Sequence, residues 1–458
     1  MEFLMEMPAT YDACHSVKKC IIFVLVLGFL LVKKLTASWV EAGVEYEAGN
    51  RRRLISIIRM ECLLTLCNFF IYCQLMAYYD ENGLVKCDRR LLARNRDRAS
   101  KLLIVFMFLS QMVYFLYVAP YTFQYLFFDV CALISGIWTN LLGFVLGFFL
   151  INCLIQLLDR IQMTKFIVEK IYSIRYIGPI ISDRKLQIKV ALVVTAVMSA
   201  LMWYSSDKIV VKEVTIPVQD FSGAEGGVRI ALVSDVHTGA SVYTQQIEMV
   251  VDTLYDLDVD VVALVGDLVD GPVEKIGDRV TPLWRLAQKF PTYFVSGNHE
   301  YYYGDVRKWF HLYRSHHIRV LDNACEMFKN ICIIGVNDIA SEYSGIHGHH
   351  MNLSTAMENC TVRSSRVVLA HNPASVLEFS KNDLEKVDVV LSGHTHAAQY
   401  YVLVPLIFQV LPYFHGLYDL PYGHGKLFVS AGTLYQGAPM KMLRMSEIWI
   451  VNLVRKTA

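Results

Sequence analysis

The sequence predicts an all-α polytopic membrane region followed by an α/β domain, and three observations support this fold class. Of the 458 residues, 54% are hydrophobic and only 19% are charged, and the mean hydropathy is +0.37. Soluble domains have about 25% charged residues, so much of the apolar surface must face lipid. Apolar runs are long in the first half of the chain; in the second half they are short and end in polar clusters. We therefore expect a membrane region at 1–207 and an α/β domain at 208–458.

Five apolar runs in the first half are candidate membrane spans. A hydrocarbon core about 30 Å thick requires about 20 helical residues. The predicted spans lie at about 20–40, 54–79, 102–118, 126–158 and 190–204. The first run is also compatible with a signal peptide, but no small-residue cleavage site ends it, so we expect a retained helix.

Basic residues in the connecting loops predict the orientation of these spans, because cytoplasmic loops are enriched in lysine and arginine. The loops 80–101 and 159–189 are basic, whereas the loop around Pro120 has no basic residue. We expect the two basic loops in the cytoplasm and everything after Tyr204 in the lumen or outside the cell. The basic loop 33–53 falls on the opposite side and argues against this orientation.

Two sequons and three cysteines add expectations for the second half. The sequons at Asn352 and Asn359 would be usable, making a glycoprotein, only if this half is exoplasmic. The 11 cysteines of the chain form no CxxC pairs, so neither a disulfide scaffold nor a zinc ribbon fits. The second half contains only Cys325, Cys332 and Cys360, so at most one disulfide can form there and one thiol must be left over.

The second half alternates short apolar runs with helical stretches such as Thr244–Tyr255, as expected for strands that helices cover on both faces. The apolar runs lie at 228–233, 261–265, 293–295, 331–336, 367–370 and 387–391. In such sheets the functional site forms outside the carboxyl ends of the strands. The polar residues of the clusters at these ends include Asp235, His237, Asp267, Asn298, His371, His394 and His396.

These side chains are carboxylates, imidazoles and a carboxamide, a ligand set suited to Mn²⁺, Fe or Zn²⁺. Seven ligands exceed what one ion uses, and a shared carboxylate would hold two ions about 3.5 to 4 Å apart. Each residue alone also has an ordinary explanation, such as capping a helix or satisfying a backbone group. Their joint recurrence at strand ends favours a dinuclear metal centre.

The motifs at these strand ends resemble those of the calcineurin-like metallophosphoesterases. They are Asp-Val-His at 235–237, Gly-Asp-Leu-Val-Asp-Gly at 266–271, Gly-Asn-His-Glu at 297–300, His371, and Gly-His-Thr-His at 393–396. The resemblance covers roughly 210–458 and implies a four-layer sandwich of two mixed sheets flanked by helices. One departure is Ala398, where relatives with this ending commonly have glycine.

The resemblance also implies a role for each residue. One metal ion would be held by Asp235, His237 and His396. A second would be held by Asn298, His371 and His394, with Asp267 bridging the two. A hydroxide between the ions would be the nucleophile, and His299, oriented by Asp270, would stabilise or protonate the leaving oxygen.

We therefore expect a membrane-anchored, metal-dependent hydrolase of phosphate mono- or diesters. The alternatives are an inactive receptor or scaffold with the same fold, against which the complete ligand set argues, and a transporter with an accessory domain. The few polar groups within the spans, Arg59, Glu61 and Asn140, favour an anchor over a transporter. Expected partners are membrane lipid and a phosphoester, with a lipid head group or a lipid-anchored molecule as candidates. The net charge of +1 gives no indication of a nucleic-acid partner.

Overall fold

The computed structural model describes residues 45–79, 86–116, 125–219, 221–239, 241–360 and 364–456. The predicted span 20–40 and the loop around Pro120 lie outside these residues. The chain divides into two compact units, Met1–Tyr72 and Cys73–Ala458, and the described part of the first unit is helical. The domain boundary that we expect between 207 and 208 stays a prediction.

Long helices precede the sheets. They and the shorter helices between them are α1 (Glu45–Met76), α2 (Lys86–Leu116), α3 (Tyr125–Arg160), α4 (Lys165–Ser173), α5 (Ile177–Ser182) and α6 (Arg184–Ser206). Within the described residues, three helical stretches are long and apolar enough to cross a membrane: Ile57–Tyr79, Leu126–Arg160 and Arg184–Ser206. They coincide with the predicted spans 54–79, 126–158 and 190–204.

The predicted span 102–118 is not among these three stretches. It lies at the end of α2, whose first half is rich in charged residues up to Lys101. The described apolar part, 102–116, is therefore shorter than the roughly 20 residues that a span requires. The total number of spans stays a prediction.

Polar pairs join α3 and α6 side by side. Asn140 Nδ2 donates to Ser199 Oγ at 3.0 Å, and the side-chain amides of Asn152 and Gln187 exchange two hydrogen bonds of 2.9 Å. The residue numbers of the bonded partners increase along α3 while they decrease along α6, so the two helices are antiparallel. Hydrogen bonds between polar side chains are a common means of pairing helices in lipid.

From residue 210 onward the chain forms two six-stranded sheets. The strands are β1 (Val210–Val218), β2 (Val228–Val233), β3 (Val261–Val265), β4 (Thr292–Val295), β5 (Arg319–Val320), β6 (Ala324–Phe328), β7 (Ile331–Gly335), β8 (Ser365–Leu369), β9 (Val389–Ser392), β10 (Gly416–Asp419), β11 (Lys426–Val429) and β12 (Glu447–Arg455). The first sheet has the order β1-β12-β2-β3-β4-β5 and the second β10-β11-β9-β8-β7-β6. Both are mixed, because antiparallel pairs such as β12 with β2 and β6 with β7 accompany parallel ones.

Helices cover the outer face of each sheet. They are α7 (Thr244–Tyr255), α8 (Val273–Ile276), α9 (Trp284–Lys289), α10 (His299–Tyr302), α11 (Val306–Ser315), α12 (Leu353–Ala356), α13 (Ser375–Glu378) and α14 (Lys381–Leu384). A further helix, α15 (Val404–Val410), lies between β9 and β10 along the chain and belongs to neither cover. Strand side chains alternate between the two faces of a sheet. In β2, Ile230 and Leu232 pack between the sheets, whereas Ala231 and Val233 pack against helices. The expected four-layer sandwich is confirmed.

One disulfide joins Cys332 on β7 to Cys360, which follows α12, and Cys325 on β6 remains a free thiol. This agrees with the expectation of at most one disulfide in the second half. The bond attaches the segment that carries Asn359 to the second sheet.

Candidate metal centre

The loops that follow five strands bring the predicted site residues to one edge of the sandwich. Asp235 and His237 follow β2, Asp267 and Asp270 follow β3, Asn298 and His299 follow β4, His371 follows β8, and His394 and His396 follow β9. All of them are buried except His394, which is half-buried. The arrangement is the one expected for a site at the carboxyl ends of parallel strands.

Asp235, His237 and His396 form the first group, in which the potential ligand atoms all lie within 4.8 Å of one another. The Nε2 atoms of His237 and His396 are 3.0 Å apart, and His396 Nε2 is 3.3 Å from Asp235 Oδ1. Two imidazole lone pairs at this distance repel each other unless a proton or a cation lies between them. The group therefore fits a cation.

Asp267, His371 and His394 form the second group within the same limit of 4.8 Å. His371 Nδ1–H donates to the Val265 carbonyl at 2.8 Å, which leaves Nε2 facing Asp267 Oδ2 at 3.1 Å. Beside this group, Asn298 Oδ1 is buried and has no hydrogen-bond partner among the described residues. Because burying an unsatisfied acceptor is costly, this oxygen also fits a cation.

Asp267 lies between the two groups. Its Oδ2 is 3.1 Å from His371 Nε2 and 3.8 Å from His237 Nε2. Burial alone would raise the pKa of Asp267, but the nearby imidazoles of His371 and His299 outweigh it and hold the pKa well below its usual range. Asp267 is therefore a carboxylate that can reach both groups, as a shared ligand must.

His299 and Asp270 form a hydrogen-bonded pair beside these groups. His299 Nδ1 is 2.5 Å from Asp270 Oδ1, and His237 Nδ1 is 3.0 Å from the same oxygen. Burial would lower the pKa of His299, but the charges of Asp270 and Asp267 raise it to about 9. The Nε2 atom of His299 lies 2.7 Å from the side-chain amide nitrogen of Gln436.

Burial and neighbouring charges shift the pKa values of His371, His394 and His396 in different directions. Burial and the adjacent His371 lower the pKa of His394 to about 4, and burial and His237 hold that of His396 well below its usual range. For His371, the Asp267 carboxylate outweighs burial and raises the pKa. A metal ligand must be a neutral imidazole, so a proton and a cation would compete for His371 Nε2.

The backbone at several site residues is left-handed, which costs a residue other than glycine about 1 to 2 kcal/mol. The residues and their φ angles are Asp235 (54°), His237 (53°), Asp267 (52°), His394 (72°) and His396 (49°). Neighbouring glycines permit the close packing that holds them. A Cβ at Gly393 would lie 2.3 Å from Asp235 Oδ2, and one at Gly297 would lie 2.2 Å from Asp267 Oδ1.

Glu300 supports the site, although sequence reasoning assigned it no role. Its carboxyl group accepts hydrogen bonds from the backbone N–H groups of Asp267, Leu268 and Gly297 at 3.0, 2.7 and 2.6 Å. Burial and the charge of Asp267 raise the pKa of Glu300 to about 7. The residue links the loops after β3 and β4, and its place directly after His299 was the only signal for it in the sequence.

Lys441 is a second supporting residue, and no motif marks it. Its side chain is fully buried, and its ammonium group donates to the backbone carbonyls of Gly432, at 2.8 Å, and of Leu434. Burial lowers the pKa of Lys441 to about 8. A Cβ at Gly432 would lie 2.6 Å from Asp235 Cβ, so Lys441 braces the backbone directly behind Asp235.

Known proteins share these features. A family model described as calcineurin-like phosphoesterase matches residues 228–398. A transmembrane protein with metallophosphoesterase domain from Danio rerio is 32% identical over 331 residues, which cover 70% of this chain and 72% of that protein. A Caenorhabditis elegans protein named as a metallophosphoesterase is 32% identical over 371 residues, 79% of this chain and 74% of its own length. Both alignments are longer than 208–458, so the similarity includes part of the membrane region.

A third relative, from Bos taurus, is also named a transmembrane protein with metallophosphoesterase domain. It is 33% identical over 290 residues, which cover 60% of this chain and 64% of that protein.

Proposed function

Because the chain belongs to the calcineurin-like phosphoesterase family, we propose that it is a multi-pass membrane enzyme that hydrolyses phosphate mono- or diesters at a dinuclear metal centre. The observation that carries this proposal is the pair of buried ligand groups with the Asp267 carboxylate between them. The membrane helices support attachment to a lipid bilayer.

The chain supplies a ligand for every position of such a centre. Asp235, His237 and His396 would hold one ion. Asn298, His371 and His394 would hold the other, with Asp267 shared between them. Oxygen and imidazole donors without thiolate suit Mn²⁺, Fe or Zn²⁺. Bound there, the ions would neutralise phosphoryl oxygens and acidify the attacking water.

His299 would donate a proton to the leaving oxygen. The charges of Asp270 and Asp267 raise the pKa of His299, which favours the protonated ring that a general acid requires. Asp270 holds His299 through Nδ1, which leaves Nε2 as the donating atom. The same carboxylate orients His237, so one residue positions both a ligand and the acid.

The two alternatives have less support. An inactive receptor or scaffold would not require all seven ligands, His299 and Asp270 together. A transporter would need polar groups that line a pathway through the membrane, but Asn140 is buried and bonded to Ser199 between two helices.

We place the α/β part outside the cytosol, in the lumen or the cell exterior. The basic loops 80–101 and 159–189 support this orientation. The bond between Cys332 and Cys360 supports it too, because disulfides persist mainly in oxidising compartments.

The metal content of the full-length protein in detergent tests the proposal. After chelation and reconstitution with Mn²⁺, elemental analysis should give about two ions per chain for the wild type. Asp267→Asn should weaken both sites, and His237→Ala should lose one ion. As a control, the exposed His424→Ala should retain both ions. A wild-type protein that holds one ion or fewer, or that cleaves no nitrophenyl phosphate mono- or diester, would contradict the proposal.

A further inference from the structure

An uncharged segment follows the loop that carries His396. From 397 to 418 the sequence contains no lysine, arginine, aspartate or glutamate. Within it, Tyr401–Val410, which we call the apolar segment, forms one turn of 3-10 helix followed by α15. Leu406, Phe408 and Val410 are 61%, 62% and 68% exposed, so the end of this segment presents apolar side chains that the described part of the chain leaves largely uncovered.

The beginning of the apolar segment packs against the membrane helices. A Cβ at Gly143 of α3 would lie 2.3 Å from Val402 Cβ, so the two elements are as close as glycine permits. Val402 and Leu403 also pack against a buried cluster that includes Met202 of α6, and Ile137 of α3 packs against the same cluster. The apolar segment therefore continues the surface of two helices that can cross a membrane.

The helix pairing places this contact below the membrane surface. With α3 and α6 antiparallel as described, Gly143 lies level with about residue 196 of α6. Trp203 and Tyr204 of α6 are exposed aromatic residues, which are enriched where helices leave the bilayer. At 1.5 Å per residue, the contact with Val402 lies roughly 10 Å on the bilayer side of Trp203.

The apolar segment is also connected to the metal centre. His396 precedes Tyr401 by five residues, which can span at most about 18 Å. Between them, Gln399 exchanges hydrogen bonds with the backbone of Gln436, whose side chain contacts His299. One wall of the site is therefore continuous with the surface that we place in the membrane.

We propose that the apolar segment lies in the lipid of the membrane crossed by α3 and α6, and that the metal centre takes a phosphoester carried by a lipid of that membrane. The exposed apolar side chains of α15 are stabilised when they leave water for lipid. A short uncharged helix beside spanning helices is suited to this depth. A substrate confined to the same bilayer would reach the site at a raised effective concentration. The choice of substrate rests on the proposed phosphoesterase function; the placement in lipid does not.

Fluorescence quenching tests the placement in lipid. Full-length Phe408→Trp protein is reconstituted into phosphatidylcholine nanodiscs with or without bromine on the acyl chains. The matched control is Leu377→Trp on α13, where the native side chain is 55% exposed on the outer layer of the second sheet. We expect bromine to reduce the fluorescence contributed by the tryptophan at 408 at least twofold. The fluorescence contributed by the tryptophan at 377 should not change. An unquenched residue 408 would overturn the placement, whether water or a second copy of the chain covers the segment.

Comparing the hydrolysis of soluble and lipid phosphoesters tests whether the substrate reaches the site from the membrane. The variant Leu406→Asp with Phe408→Asp is compared with the wild type and with Leu377→Asp. The probes are a water-soluble nitrophenyl phosphodiester and nanodiscs that contain phosphatidic acid or phosphatidylinositol. The double variant should hydrolyse the soluble ester within twofold of the wild-type rate and the lipid at least tenfold more slowly, while Leu377→Asp should change neither.

The possible failures are distinguishable. Equal loss on both kinds of substrate, no loss on lipid, or a wild type that cleaves only the soluble ester would overturn the inference. A wild type that cleaves neither kind of substrate, with Phe408→Trp still quenched, would overturn the phosphoesterase function and the lipid substrate but leave the placement in lipid standing.

Discussion

Asp270 Oδ1 accepts hydrogen bonds from two imidazoles, those of His237 and His299. His237 belongs to a candidate ligand group, whereas His299 is placed as the proton donor. One carboxylate therefore couples the orientation of a metal ligand to that of the acid. Because Asp270 is fully buried, water cannot take over either hydrogen bond.

His299→Ala should separate these two roles. Without the donor, turnover of an ester with a poor leaving group should fall by about 10² to 10⁴, since a positioned acid contributes about that factor. A nitrophenyl ester needs little protonation and should lose less. Steady-state rates on both esters and elemental analysis provide the measurements. If His299→Ala also loses metal, the assignment as proton donor is wrong.

At the residue level, strand ends and family motifs in the sequence mark the residues that the structure gathers in the two groups. Their roles as metal ligands stay a prediction. It does not predict the roles of Glu300 and Lys441. Both act through hydrogen bonds to the backbone of loops that are distant in sequence, and such contacts leave no pattern in the chain.

The loop after β9 is the most strained element of the site. Four consecutive residues, from His396 to Gln399, have φ angles of 49°, 46°, 69° and 58°. A left-handed conformation over several residues disfavours any side chain with a Cβ. At Ala398, which has a φ of 69°, the chain retains this cost two residues after a candidate ligand.

Ala398→Gly should stabilise the protein by about 1 kcal/mol, because glycine adopts this φ without strain. Ala287 inside α9 is the matched control: its backbone is helical, so Ala287→Gly should instead lower stability by about 0.5 to 1 kcal/mol. Thermal unfolding of the full-length protein in one detergent measures both changes. Similar losses in the two variants would contradict the account of strain at 398.

Among the helices and strands, those with a long periodic pattern of hydrophobic residues could be predicted from the sequence. The helix expected at 244–255 forms as Thr244–Tyr255, and the apolar run at 228–233 forms β2. The one-turn helices and the left-handed loop after β9 were not predicted, since tertiary contacts rather than local preference hold their backbone.

The whole molecule combines helices that can cross a membrane with a sandwich that carries a buried candidate site. Its α3 has 36 residues, about 54 Å of helix, which exceeds a hydrocarbon core of about 30 Å. The part of α3 beyond this length can contact the rest of the chain. Near the start of α3, Asp129 accepts a hydrogen bond from Tyr243 Oη at 2.7 Å. The composition of the sequence predicts that membrane helices are followed by a sandwich. It does not predict where along the helices the sandwich makes contact, because that depends on side-chain packing.

The orientation of the sandwich can be measured on sealed microsomes. If the basic loops face the cytosol, added protease should leave the sandwich intact, and enzymatic deglycosylation should increase its mobility. Asn359 is exposed, so Asn359→Gln should remove a glycan if that sequon is used, with Asn352→Gln as the companion variant. Digestion of the sandwich from the cytosolic face would overturn the orientation, whatever the state of the sequons.

Cys325 forms a triangle of sulfur atoms with the disulfide partners Cys332 and Cys360, all within 4.8 Å of one another. Expression in a reducing bacterial cytoplasm, or purification in dithiothreitol, would open the bond and leave three thiols in one place. Soft ions such as Zn²⁺ prefer such ligands. An ion held there would be counted by elemental analysis although it takes no part in hydrolysis. The stoichiometry of the candidate metal centre is therefore readable only from protein produced through an oxidising secretory route.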